Sequence, residues 1–154
     1  MLKFYKDGVI AIPNVTNDLE ITVTAVERIY ENLFPNKFFE TDGVTVYNAG
    51  LGYKNGYRFN SSNAEVSVIN HICVTGYLDV TGNSALVISN APLGPDGLGA
   101  APIICYDSTH SAIGRLGEYS SLVNPNGTYE IPSGTKYIRI CCGSDPVDMV
   151  VNLE

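Results

Sequence analysis

A chain of 154 residues is long enough for one well-filled core. Its formal charge of -7 and pI near 4.7 point away from a nucleic-acid partner, because phosphate binding depends on clustered Lys and Arg, and here the basic residues are scattered from Lys3 to Arg139. Charged residues from Lys3 to Glu20 break up the opening stretch, so no signal peptide is visible, and no run reaches the roughly 18 apolar residues of a membrane helix.

Helical periodicity is nearly absent, while β-branched and aromatic clusters recur between turn residues, so the sequence reads as all-β. Val9 to Ile12 forms one strand, Pro13 to Asp18 turns, and Leu19 to Ala25 alternates with Leu19, Ile21, Val23 and Ala25 on one face. A lone hairpin is marginal in water, so residues 1–27 are expected to act as a docking arm. A short helical turn is expected near Glu27 to Leu33, closed by Pro35, within a connector at residues 28–43.

From residue 44 to 154 the spacing predicts a β-sandwich of about eight antiparallel strands. They fall near Val44 to Tyr47, Gly56 to Phe59, Ile72 to Val80, Ala85 to Ser89, Ile103 to Asp107, Gly127 to Ile131, Tyr137 to Cys142 and Val147 to Leu153. Between them, Ala91 to Pro102 carries three prolines and three glycines and is expected to be a long exposed loop. Alternation places Ile138 and Ile140 on the core face and turns Tyr137 and Arg139 the other way. A Gly-x-x-x-Ile-Pro frame occurs at Gly8 to Pro13 and again at Gly127 to Pro132, where Pro ends a strand and starts a turn.

Nothing in the sequence makes a positive case for catalysis. Cys73, Cys105, Cys141 and Cys142 sit among strand formers with neither CxxC nor zinc spacing, and read as small buried hydrophobes. His71 and His110 lie far apart and outside any metal-ligand spacing, and no two of the sixteen acids stand out as a catalytic pair. Asp96, Asp145 and Asp148 read as solvated, and Asp107 as the start of an Asx turn. No metal and no cofactor is expected. Ten tyrosines with no tryptophan is an unusual balance, and Tyr53 and Tyr57 fall in the Gly-rich stretch Gly50 to Arg58. A tyrosine pairs a flat apolar face with a hydroxyl, which suits sugar rings and protein interfaces. The candidate ligand-binding residues are therefore Tyr53, Tyr57, Asp96, Asp107 and His110.

Several segments, in order and spacing, resemble one family. Gly56 to Glu65 followed by Val74 to Val80, then Ile104 to Ser108, the Tyr129 to Ile140 stretch with its Ile131-Pro132 and Tyr137-Ile138-Arg139-Ile140, and the final Met149 to Glu154 are similar to the C-terminal, carbohydrate-binding-module-like domains of phage and prophage tail-fibre and baseplate proteins. Ile12 to Val23 resembles the last hairpin of the Ig-like modules that often precede such domains, with Asn17 where Gly is usual. The resemblance implies a jelly-roll sandwich on a virion, a homo-oligomer with the trimer favoured, contacts to other virion proteins through the N-terminal arm, and host-surface glycan recognition in some members. It also implies a non-enzymatic structural protein of the tail or of the capsid surface; the competing expectation is a free-standing carbohydrate-binding module.

Overall fold

The structure, a computed structural model, describes residues 31–68, 71–97 and 99–154, together with the two short strands β1 (Lys3–Phe4) and β2 (Ile10–Ala11). β1 and β2 pair antiparallel; the hairpin expected between Val9 to Ile12 and Leu19 to Ala25 otherwise lies outside the described residues.

The fold is all-β and its ladders are antiparallel. After residue 31 come β3 (Phe38–Phe39), a tight turn at Tyr47–Gly50, β4 (Tyr53–Asn55), β5 (Tyr57–Phe59), β6 (Glu65–Ser67), β7 (Ile72–Thr75), β8 (Tyr77–Asp79) and β9 (Ala85–Ser89). The remaining strands are β10 (Ile103–Tyr106), β11 (Ala112–Leu116), β12 (Gly127–Glu130), β13 (Tyr137–Gly143) and β14 (Val150–Leu153). The main sheet runs β11-β10-β13-β7-β4, with β8 also beside β13 and β3 beside β8. A smaller sheet, β12-β9-β14, packs over its inner face, and β5 and β6 form a separate pair.

Why the two sheets pack follows from the period of two. Ile138, Ile140 and Cys142 of β13 meet Ile103 and Cys105 of β10, Cys73 of β7 and Leu78 of β8, and across from them lie Leu86, Ile88 and Val151 of the small sheet. The expected orientation of Ile138 and Ile140 is the observed one. Burying an aliphatic side chain of this size contributes roughly 1.5–3 kcal/mol, so this cluster dominates the stability of the sandwich.

Several expectations need correction. The folded unit begins upstream of residue 44: Phe34 and Phe38 belong to the inner core and Asn32 bonds both Met149 and Val151, so the stretch read as a connector is part of the sandwich. The expected helical turn is not formed by Glu31 to Leu33, where the Leu33 amide instead donates to the Val151 carbonyl; residues 27–30 lie outside the described set. Val44 to Tyr47 is a turn and a single bridge, not a strand, and Val44 is 79% exposed. β3, β4, β6 and β11 have no counterpart among the expected strands.

Nor is Ala91 to Pro102 an exposed loop. Ala100, Ala101 and Gly94 are buried, the Gly94 amide bonds the Val123 carbonyl, the Ala101 amide bonds the Phe59 carbonyl, and Pro92 and Pro102 accept from Gly143 and Cys141. Small residues let this segment lie flat on the outer face of the main sheet. There it encloses a second cluster, with Phe59, Ile72, Val74, Ile104, Val123 and Cys141 at its centre.

The strand expected as one piece from Ile72 to Val80 is interrupted at Gly76. On its β7 side Val74 pairs with Cys141, while on its β8 side Leu78 pairs with Ile138, so β7–β8 carries one more residue than β13 across the same span. This is a β-bulge, and it shifts the alternation. In β7 the odd residue Cys73 faces the core, whereas in β8 the even residue Leu78 does, and Tyr77 and Asp79 are turned outward. Gly76 is required here because a Cβ would lie 2.6 Å from the Tyr47 Cβ and 2.7 Å from the Phe39 carbonyl.

Candidate functional site

The bulge delivers Tyr77 and Asp79 to the outer face beside their ladder partners, Phe39 of β3 and Tyr137 of β13, and Tyr137 in turn pairs with Tyr106 of β10. Phe39, Tyr77, Asp79 and Tyr137 form the part of that face that the Ala91 to Pro102 segment leaves open, with Tyr106 buried beside them. A cavity of about 330 Å³ lies there, lined by Phe39, Glu40, Gly43, Tyr77, Asp79 and Tyr137. That is the lower end of the size range of small-ligand pockets, roughly 300–1,000 Å³.

The aromatic wall is ordered by edge and face contacts. Tyr77 stands edge-on to Tyr106 (5.0 Å between centroids, 71°), to His110 (4.7 Å, 82°) and to Tyr137 (6.1 Å, 78°). His110 stacks on Tyr137 at 4.5 Å and 9°. The sequence of the turn explains why His110 can reach: Asp107 Oδ1 accepts from the amides of Thr109 and Ser111 and from the Thr109 hydroxyl, and the His110 amide donates to the Asp107 carbonyl. This is the expected Asx turn. It holds His110 at a φ of 62° and its ring over Tyr137. Led by the hydroxyl of Thr109, the same donors hold the Asp107 carboxyl below its ordinary value.

Two carboxylates complete the cavity. Asp79 accepts from Lys136 at 2.8 Å, and Lys136 also donates to the Thr81 hydroxyl. Partial burial pushes Asp79 up, but the bonds from Lys136 and Thr81 outweigh it, and the carboxyl ends below its ordinary value. Glu40 is placed by the turn that follows β3, in which its amide donates to the Thr45 carbonyl and its carbonyl accepts from Gly43. Its side chain makes no ion pair or hydrogen bond with any of the described residues.

Behind the wall lies Arg139, only 6% exposed. Its guanidinium pairs with Glu65 at 2.7 Å, donates from Nε to the Thr75 carbonyl at 2.8 Å, and sits 5.0 Å from the Tyr77 centroid and 5.3 Å from that of Phe59. Glu65 also pairs with Lys54. Thr75 is fully buried, and its hydroxyl accepts the Ile140 amide at 2.8 Å, the donor that the bulge would otherwise strand. Arg139 and Thr75 thus fix the bulge that aims Tyr77. Tyr106, buried beside them, has its hydroxyl pushed up to about 12 by loss of water.

Of the candidate residues read from the sequence, the structure brings only Asp107 and His110 to this site. Tyr53 is buried against Phe34 with its hydroxyl donating to Asp145, so it presents no open face. Tyr57 is half-buried against the second cluster, with Lys54 Nζ 4.0 Å from its ring centre. Asp96 is exposed. Phe39, Glu40, Tyr77, Asp79 and Tyr137 were not singled out as a site. The signal was the polar or aromatic residue alternating with core aliphatics in Tyr77-Leu78-Asp79 and Tyr137-Ile138-Arg139.

The thiolate is disfavoured at three of the four cysteines, Cys105, Cys141 and Cys142. All four cysteines are free and buried, burial raises Cys105 and pushes Cys141 up to about 12, and the Cys73 thiol and burial together raise Cys142. Among the described residues no group of three or more His, Cys, Asp or Glu could hold a metal, and no helix is long and apolar enough to cross a membrane. Comparison with protein families, with curated proteins and with solved structures gave no match.

Proposed function

We propose that this protein is a non-catalytic recognition module of a phage virion. In this reading a jelly-roll sandwich is attached to other virion proteins through residues 1–27, assembles as a homo-oligomer with the trimer favoured, and holds a host-surface glycan between Tyr77 and Tyr137. The observation that carries it is the outward aromatic pocket itself, about 330 Å³ in volume, with three aromatic rings and two carboxylates on its wall. Rigid, amphipathic rings pack against the apolar face of a sugar while carboxylates accept from its hydroxyls, and neither contact requires a reactive group. Glycan recognition therefore needs nothing beyond what lines the pocket. The virion setting rests on the ordered resemblance of residues 56–154 to tail-fibre and baseplate domains.

The test is a glycan array probed with the wild-type chain, Tyr77→Ala and Tyr137→Ala. Binding by the wild type that both variants lose supports the reading; an array without hits overturns glycan recognition. Mass spectrometry of purified particles decides the virion setting, and a strictly monomeric chain that never enters particles fits the free-standing module instead.

A further inference from the structure

We propose that the pocket selects a glycan bearing a positively charged amine, an inference that rests on the glycan reading above and narrows it to amino-sugar ligands. The charges around the cavity carry the argument. Glu40 and Asp79 line it, and the cation beside it, Lys136, is already engaged by the Asp79 carboxylate and the Thr81 hydroxyl. That leaves the pocket with a net negative charge and with Glu40 free of side-chain partners among the described residues. A neutral sugar would leave this carboxylate facing only hydroxyls, whereas an ammonium gives it a charge-assisted hydrogen bond.

The walls favour the same ligand. The faces of Tyr77, Tyr137 and Phe39 carry the negative side of the ring quadrupole, which attracts a cation within about 6 Å of a ring centre. Such attraction already operates in the structure, where Lys136 Nζ lies 5.4 Å from the Tyr137 centroid and the Arg139 guanidinium 5.0 Å from that of Tyr77. Both of those cations are held by protein carboxylates, and Glu40 offers the corresponding position to a ligand. Gly43, on the rim, has a φ of 69° and nothing within 4 Å of where a Cβ would be, so the rim is open at that point.

The experiment is one array of glycans with free amines, read before and after capping of those amines by acetic anhydride. Wild-type protein is compared with Glu40→Gln, with Tyr77→Ala and with Glu118→Gln, an exposed acid elsewhere, as the control for general charge attraction. The expected result is binding that falls about tenfold or more on capping and on Glu40→Gln, is lost in Tyr77→Ala and is unchanged in Glu118→Gln. Binding that survives capping overturns the amine selectivity and leaves glycan recognition standing. An equal fall in Glu40→Gln and Glu118→Gln assigns the attraction to net charge and also overturns it. No binding before or after capping removes the glycan reading itself.

Discussion

The outer face of the main sheet is two different surfaces joined at one residue. On one side of Arg139 the face is sealed: Ile72, Val74, Ile104 and Cys141 lie beneath Phe59 of β5 and the Ala91 to Pro102 segment, closed by main-chain bonds from Gly94, Ala101 and Cys141. On the other side Phe39, Tyr77, Asp79 and Tyr137 line an open cavity. Both halves share β13, and β7 and β8 are one stretch of chain divided by the bulge, so the contrast does not come from a change of sheet. It comes from residue type at the outward positions, aliphatic before the bulge and aromatic or acidic after it, and from a covering segment that stops short. A binding surface can thus be made from a core-like face by leaving half of it uncovered, provided the exposed half is built of side chains that tolerate water.

The boundary is where this comparison breaks most easily. Arg139→Ala removes one of the two cations paired with Glu65, strands the buried Thr75 carbonyl and takes the support from behind Tyr77. Loss of one member of a fully buried ion pair costs about 3–5 kcal/mol; because Glu65 is partly exposed and keeps Lys54, a denaturant titration should read a loss at the lower end, about 3 kcal/mol. A cost below about 1 kcal/mol would mean the halves are held apart by something other than Arg139. Thr75→Val comes next. It keeps the shape but strands the buried Ile140 amide, for about 1–3 kcal/mol, and because it loosens the bulge it should also weaken ligand binding. A Thr75→Val protein of wild-type stability would show that the bulge does not depend on that hydroxyl.

These two residues also mark where the sequence stopped being readable. The alternation of Tyr137 to Cys142 was enough to assign the inner and outer faces of β13, since each core position there is aliphatic or Cys and the register is unbroken. The Asx turn at Asp107 was equally legible, because its donors lie within four residues. The bulge was not. Ile72 to Val80 reads as one continuous strand, and the clash that demands Gly76 comes from Tyr47 and Phe39, more than twenty residues away. With the bulge unseen, Tyr77 and Asp79 could not be aimed and the pocket could not be assembled. Ala91 to Pro102 misled for a related reason: Pro and Gly signal an irregular backbone, and only the tertiary contacts reveal that Gly94, Ala100 and Ala101 were chosen for thinness. Tyr53 misled in the opposite sense, since a tyrosine among glycines suggests a loop platform, whereas its ring fills the core beside Phe34 and its hydroxyl finds Asp145.

On the open half the expected stability effects are smaller and the binding effects larger, which is what separates a binding surface from a core. Tyr137→Ala removes the stack with His110 and the edge contact with Tyr77. Aromatic pairs contribute roughly 0.5–1.5 kcal/mol each, so the fold should survive at about 1–3 kcal/mol of cost while glycan binding is lost. A Tyr137→Ala protein that binds as the wild type would place the ligand elsewhere.

The smallest effect is also the most local. Asp107 lies at the surface, and its carboxyl is held below the ordinary value of 3.8 by the Thr109 hydroxyl and the Ser111 and Thr109 amides, so those bonds belong to the ionised form. The sign follows from linkage: a depressed folded value means a contribution fully present above the unfolded value of 3.8 and lost as pH falls through the folded one. Acidification below 3.8 should therefore open the turn before the sandwich unfolds. His110 then leaves Tyr137, and its ring resonances should move toward those of Asp107→Ala, which lacks the turn at every pH. Ring resonances that stay unshifted well below 3.8, or that are the same in Asp107→Ala and wild type, would mean that packing against Tyr77 and Tyr137 alone positions His110.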